Sequence, residues 1–170
     1  MIARAALALL LAAPLGSCAL HPLYAGGSSS AVAVGLSSVE VAPIPERAGW
    51  LVRNALIDRL AAEPPSHPIA LYRLEVDLDD AITGFGIRGD SATTRERRTI
   101  RARYRLVTIA TGETVVDATA GADSGIDVVS SEYATVAAEQ SATERLAAVL
   151  ADQIVGRLGL YLTRQGKVAR

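Results

Sequence analysis

Leu71–Gly84 reads LYRLEVDLDDAITG, and from Tyr72 to Asp79 apolar and charged residues alternate without a break. Tyr72, Leu74, Val76 and Leu78 fall on one side of an extended chain, and Arg73, Glu75, Asp77 and Asp79 on the other. That two-residue period predicts a strand with one buried face. Arg98–Val107, RTIRARYRLV, repeats the pattern, with Ile100, Ala102, Tyr104 and Leu106 inward and Arg101, Arg103 and Arg105 outward. A loop from Gly84 to about Glu96 is expected between the two. ATGE, around Gly112, is a turn signal, and Thr114 to Ala122 makes a third meander strand.

Working outward, LSSVEVAP places Leu36, Val39 and Val41 on a short strand stopped by Pro43 and Pro45. Proline is tolerated in the first turn of a helix, and Ala48, Leu51, Val52, Ala55, Leu56 and Leu60 follow at helical spacing. EPPSHP ends that helix. A second, long helix is expected from Ser131 to about Leu162, carrying Tyr133, Val136, Ala137, Ala147, Leu150, Ile154 and Leu158. The order β-α-β-β-β-α predicts an α+β two-layer sandwich, a four-stranded sheet with two helices on one face. The other face, lined by arginines and acids, is left for water or a partner.

The chain has 170 residues, 50% hydrophobic and 21% charged, with a net charge of −1. That is ordinary globular material, able to bury a core without disulfides, and its charge gives no support for nucleic-acid binding. Cys18 is the only cysteine. Before it, Arg4 and the apolar run AALALLLAAPLG describe an export leader, too short for a spanning helix of ~20 apolar residues. Leu15-Gly16-Ser17-Cys18 resembles the bacterial lipobox, in which the thiol takes a diacylglycerol and the leader is cut off. A lone cysteine in an exported protein cannot pair internally, and lipidation accounts for it. Residues 1–17 are then a cleaved signal peptide, 18–35 a lipidated anchor and Gly/Ser-rich tether, 36–165 a single domain and 166–170 a tail. Several acyl chains together make such an anchor stable. Ala19 follows the cysteine where an inner-membrane retention signal has aspartate, which favours the periplasmic side of the outer membrane. No second segment is expected to span a membrane.

Enzyme signatures are missing. GFGIRG matches G-x-G-x-x-G at Gly84, Gly86 and Gly89, but a loop and strand follow where a dinucleotide site needs a helix. His21 and His67 have no ligand set or nucleophile near them in sequence, and no metal-spaced cluster or G-x-S-x-G stretch occurs. Neither catalytic residues, a metal nor a cofactor is expected.

The basic run Arg95, Arg97, Arg98, Arg101, Arg103 and Arg105 has two readings. Guanidinium forks suit phosphate groups. Alternatively, Glu75, Asp77 and Asp79 sit across a hairpin from Arg105, Arg103 and Arg101 and need no ligand. Arg95, Arg97 and Arg98 have only Glu96 and Asp90 nearby in sequence, so that end is expected to stay basic. Trp50, the only tryptophan, and Ile57 lie opposite the main stripe of the first helix, either against another helix or as a patch for a partner.

Cys18 with ALHPLY, the element order, YRLEVDL, TTRERRTIRARYRLV, TGETVV and SEYATVAAEQSATERLAAVLADQI together resemble the LptE family of lipopolysaccharide-assembly lipoproteins. Family members commonly have glycine and an aromatic after the cysteine, where Ala19 and Leu20 stand here. The resemblance implies a non-enzymatic protein that plugs and helps assemble the large β-barrel LptD and supports lipopolysaccharide delivery to the outer leaflet. It implies lipopolysaccharide and an LptD-like barrel as partners, with Arg95, Arg97 and Arg98 in a region comparable to the family's basic lipopolysaccharide-binding surface. On residue chemistry and helix position alone, Arg101 and Arg103 are further candidate lipopolysaccharide contacts, and Trp50 and Ile57 candidate partner contacts. Two rivals are an auxiliary lipoprotein of an ABC-type lipid transport system and a periplasmic enzyme with a noncanonical site. A structural lipoprotein without lipopolysaccharide contact is the blandest alternative.

Overall fold

The structure is a computed structural model and describes residues 31–61, 69–87 and 93–168. Cys18, His21, His67, Gly89 and Asp90 lie outside the described residues. The elements in chain order are α1 (Ala31–Ser37), β1 (Val39–Val41), α2 (Glu46–Leu60), β2 (Tyr72–Ile87), β3 (Thr93–Thr108), β4 (Thr114–Asp127) and α3 (Glu132–Val168). The strands form one sheet in the order β1-β2-β3-β4, with β1 parallel to β2 and the others antiparallel.

The alternation read from Tyr72 to Leu106 sets the layers. Leu74, Val76, Ile100, Ala102, Tyr104 and Leu106 are buried on one face. Against them pack Val52, Leu56 and Leu60 of α2 and Leu146, Leu150, Ile154 and Leu158 of α3, all in one core cluster. Both long helices therefore cover the same face, as expected. By length and composition α3 is apolar enough to cross a membrane, contrary to expectation; here its apolar side instead forms the core.

Four local expectations are corrected. Residues 31–35, assigned to the tether, begin helix α1 instead. Ala33 and Leu36, one turn apart, are both buried, and Gly35 lets Leu162 of α3 approach: a Cβ there would stand 3.2 Å from a Leu162 methyl. Leu36 thus belongs to that helix, and only Val39–Val41 is strand. Ser38 ends the helix, its hydroxyl donating to Gly35 O at 2.7 Å. Second, the expected loop from Gly84 to Glu96 is mostly strand, because β2 runs on to Ile87 and β3 already begins at Thr93. Third, β4 continues past Ala122 to Asp127. Finally, Tyr133, Val136 and Ala137 are exposed rather than packed, since the first turns of α3 run beyond the core.

Gly112 sits at φ 71° in the β3–β4 turn, a conformation glycine adopts without strain. Gly49 serves a close approach: a Cβ there would lie 2.8 Å from the carbonyl oxygen of Ile44, so the chain entering α2 can fold back onto it.

Candidate functional site: the open face of the sheet

The face turned away from the helices is built from the odd-numbered positions of β2, β3 and β4. The register puts Glu75 opposite Arg105, Asp77 opposite Arg103 and Asp79 opposite Arg101, the alignment expected from the two alternating segments. β3 is central, so each of its arginines has neighbours on both sides, and β4 supplies a second set of acids: Asp117, Asp123 and Asp127.

That second set redistributes the pairs. Arg105 reaches Glu75 at 3.2 Å. Arg103 turns to β4 and forks onto Asp117 through Nε at 3.3 Å and Nη2 at 3.0 Å, although Asp77 lies directly across in register. Arg103 holds the Asp117 carboxyl below its ordinary pKa, first by hydrogen bonding and then by charge, and Asp117 raises Arg103 in return. Arg95 donates to Asp127 at 3.0 Å. Arg97 stands 3.9 Å from Asp123, with its guanidinium carbon 5.5 Å from the centre of the Phe85 ring, within cation–π range. The expectation that the Arg95–Arg98 end stays basic, with only Glu96 and Asp90 near it in sequence, is therefore corrected. The early start of β3 places these residues in strand register beside acids distant in sequence.

Arg98 belongs elsewhere. Its even position turns it to the helix-covered side, where it forks onto Asp80, donating from Nε to Oδ1 at 2.9 Å. Only 17% of the Arg98 side chain and 14% of the Asp80 side chain are exposed. The Asp80 hydrogen bond is the largest cause of the raised pKa of Arg98, with further help from Glu139 of α3. Glu96, also on this side, has its Oε2 buried without a hydrogen-bond partner among the described residues.

Arg101 alone among the open-face arginines of β3 has no ion pair among the described residues, and neither Asp77 nor Asp79 has one either. Arg101 lies along Gly121, whose position for a Cβ is 3.7 Å from the arginine's Cγ. With no side chain at Gly121, an open hollow of about 640 Å³ spans the sheet there. Arg101, Arg103, Thr99 and Thr119 line it together with Asp77, Asp79 and Asp123. Its three carboxylates outnumber its two guanidiniums, and among the described residues Arg101 is the lining cation without an ion pair, able to fork onto an anionic oxygen. No group of three or more metal-ligating side chains occurs among the described residues.

Trp50 is 60% exposed and Ile57 is also exposed, both on the side of α2 away from the core. Among the described residues no helix encloses Trp50.

The family model for LptE, lipopolysaccharide-assembly, matches residues 36–158, from the end of α1 to the last buried turn of α3. The chain belongs to the LptE family. A crystal structure of a lipoprotein from Caulobacter crescentus CB15 shares 28% identity at a TM-score of 0.63, covering 78% of this chain and 96% of that one. Rare lipoprotein B from Shewanella oneidensis has the same fold at 7% identity, with a TM-score of 0.54, over 78% of this chain and 98% of that one. Lipoprotein B from Nitrosomonas europaea aligns at 10% identity and a TM-score of 0.55, over 74% and 83% of the two chains. No curated protein matches the chain. LptE-family membership assigns the chain to lipopolysaccharide assembly, in a family of non-enzymatic accessory lipoproteins.

Proposed function

We propose that this LptE-family chain is an outer-membrane lipoprotein, anchored through Cys18 on the periplasmic side, that plugs and helps assemble an LptD-like β-barrel and supports lipopolysaccharide delivery to the outer leaflet. The observation that carries the reading is the asymmetry of the sheet. Helices close one face with an apolar core, while the other is a wet array of charges centred on the unmatched Arg101. Such a surface suits the polar interior of a large barrel. The exposed Trp50 and Ile57 add an apolar contact on another side. Within the arginine set, Arg101 is the foremost candidate for a lipid phosphate. Arg95, Arg97 and Arg103 are available after exchanging a carboxylate for it, and Arg98 serves the fold.

A mild-detergent pulldown of the tagged protein from outer membranes, with mass identification, tests the reading. A large β-barrel recovered in equal amount supports it; an inner-membrane transporter partner overturns it. In the same cells, Cys18→Ala is expected to move the protein out of the outer-membrane fraction, and unchanged partitioning counts against the anchor.

A further inference from the structure

The two edges of the sheet are treated differently. Along β4, α3 lies close by, and the Gln153 amide occupies the backbone of Gly121, accepting from its N–H and donating to its carbonyl, each at 3.3 Å. On the opposite edge, β1 covers β2 only from Tyr72 to Leu74. Tyr72 donates its N–H to Ser38 O at 3.2 Å, and Leu74 O accepts from Ala42 N–H at 3.0 Å, so the even positions of β2 face outward. β2 then continues to Ile87 in unbroken register with β3 as far as Phe85. By regular alternation Leu78, Asp80, Ile82 and Gly84 direct N–H and C=O groups away from β3, and no described element pairs with them.

Exposed edges of this length are normally blunted by charged side chains, lysine above all, or by proline, a bulge or a covering element; here the charges are Asp77, Asp79 and the inward-facing Asp80, all in the first half. Asp77 to Gly86 has neither proline nor lysine, and its second half, AITGFG, is uncharged, with Ile82 and Phe85 exposed. Its first half carries Asp77 and Asp79 on the open face, neither in an ion pair among the described residues. Two copies of this edge pairing with each other would bring these like charges together, which is unfavourable. A basic strand would satisfy them.

We propose that the edge of β2 left unpaired among the described residues receives an extended strand of a partner protein, with basic residues beside Asp77 and Asp79 and apolar residues beside Leu78 and Ile82. Backbone hydrogen bonds would supply affinity, and the alternation of charge would supply specificity. The proposal rests on the reading of this chain as a partner-docking lipoprotein and names the contact edge.

Amide exchange on the full lipidated chain tests it, with a synthetic peptide alternating Lys and Val as probe and a peptide alternating Glu and Val as control. The Lys–Val peptide is expected to slow exchange at Leu78, Asp80, Ile82 and Gly84 by about tenfold or more. Ala81 and Thr83, already bonded to β3, should not change, nor should Thr119 and Asp123 on the β4 edge. The double variant Asp77→Lys/Asp79→Lys, shown folded by circular dichroism, should lose the effect. Unchanged exchange at the even positions, or equal protection by the Glu–Val peptide, overturns the proposal. The same amides are then read in the complex recovered from outer membranes. Unprotected β2 amides with a barrel still co-eluting overturn the edge assignment alone; protected amides with a non-barrel partner overturn the barrel reading alone.

Discussion

Two arginine–aspartate forks stand five residues apart on β3, and they differ mainly in which face they occupy. Arg98–Asp80 lies on the covered side, at 17% and 14% side-chain exposure. Arg103–Asp117 lies on the open side, at 65% and 43%. Their hydrogen-bond geometry is similar. For the covered pair, solvent cannot replace a lost partner, so deleting one member strands a charge. For the open pair, water substitutes readily and salt screens the attraction. Identical chemistry is structural on one face and exchangeable on the other, and exchangeable carboxylates are what a surface needs if an anionic ligand is to displace them.

The contrast between faces makes graded predictions. The largest effect belongs to the covered face itself: Leu150→Ala, at a fully buried position of α3, is expected to cost about 2–5 kcal/mol in urea unfolding through lost burial and the cavity left behind. A loss within measurement error would mean that α3 does not close the core. Next, Asp80→Ala is expected to cost roughly 3 kcal/mol because Arg98 keeps its charge, while Asp117→Ala leaves the unfolding midpoint unchanged. Equal effects from the two would erase the distinction between the faces.

The smallest effect is a titration. Arg103 holds the Asp117 carboxyl below its ordinary value of 3.8. A depressed folded-state pKa adds stability that is fully present above the unfolded value and lost as pH falls through the folded one. The contribution from this pair should therefore fade only below about pH 4. In Arg103→Gln the Asp117 titration, followed by carboxyl NMR, should move back up; an unmoved midpoint would show that the fork does not persist in solution.

Much of this contrast is legible in the sequence, because period-two alternation fixes which side chains share a face. Tyr72–Asp79 and Ile100–Leu106 carry it openly, and the Glu75–Arg105 alignment follows from them. The same rule, extended back one turn of alternation, would have put Arg98 on the covered side with Ile100. What the glycines do hide is the strand running through much of Gly84–Glu96, a segment that reads as a loop. The choice of Asp117 over Asp77 by Arg103 was also hidden, since it depends on β4 lying beside β3 and on side-chain rotamers that no spacing encodes. Nor does Gly49 announce itself: a glycine in a helical stripe reads as a weakness until Ile44 is seen folded against it. The void at Gly121, which leaves Arg101 beside an open hollow, likewise needs three strands in register before it exists.

The most direct test of the division of labour between the faces is lipopolysaccharide binding by Arg101→Gln, measured at matched salt together with the thermal midpoint of the same sample. Arg101 makes no ion pair among the described residues, so its neutralisation should leave the midpoint unchanged while binding falls by about tenfold or more, as expected when a charge-assisted phosphate contact is lost. Binding equal to that of the unaltered protein, with the fold intact, would contradict the assignment of the open face to the lipid.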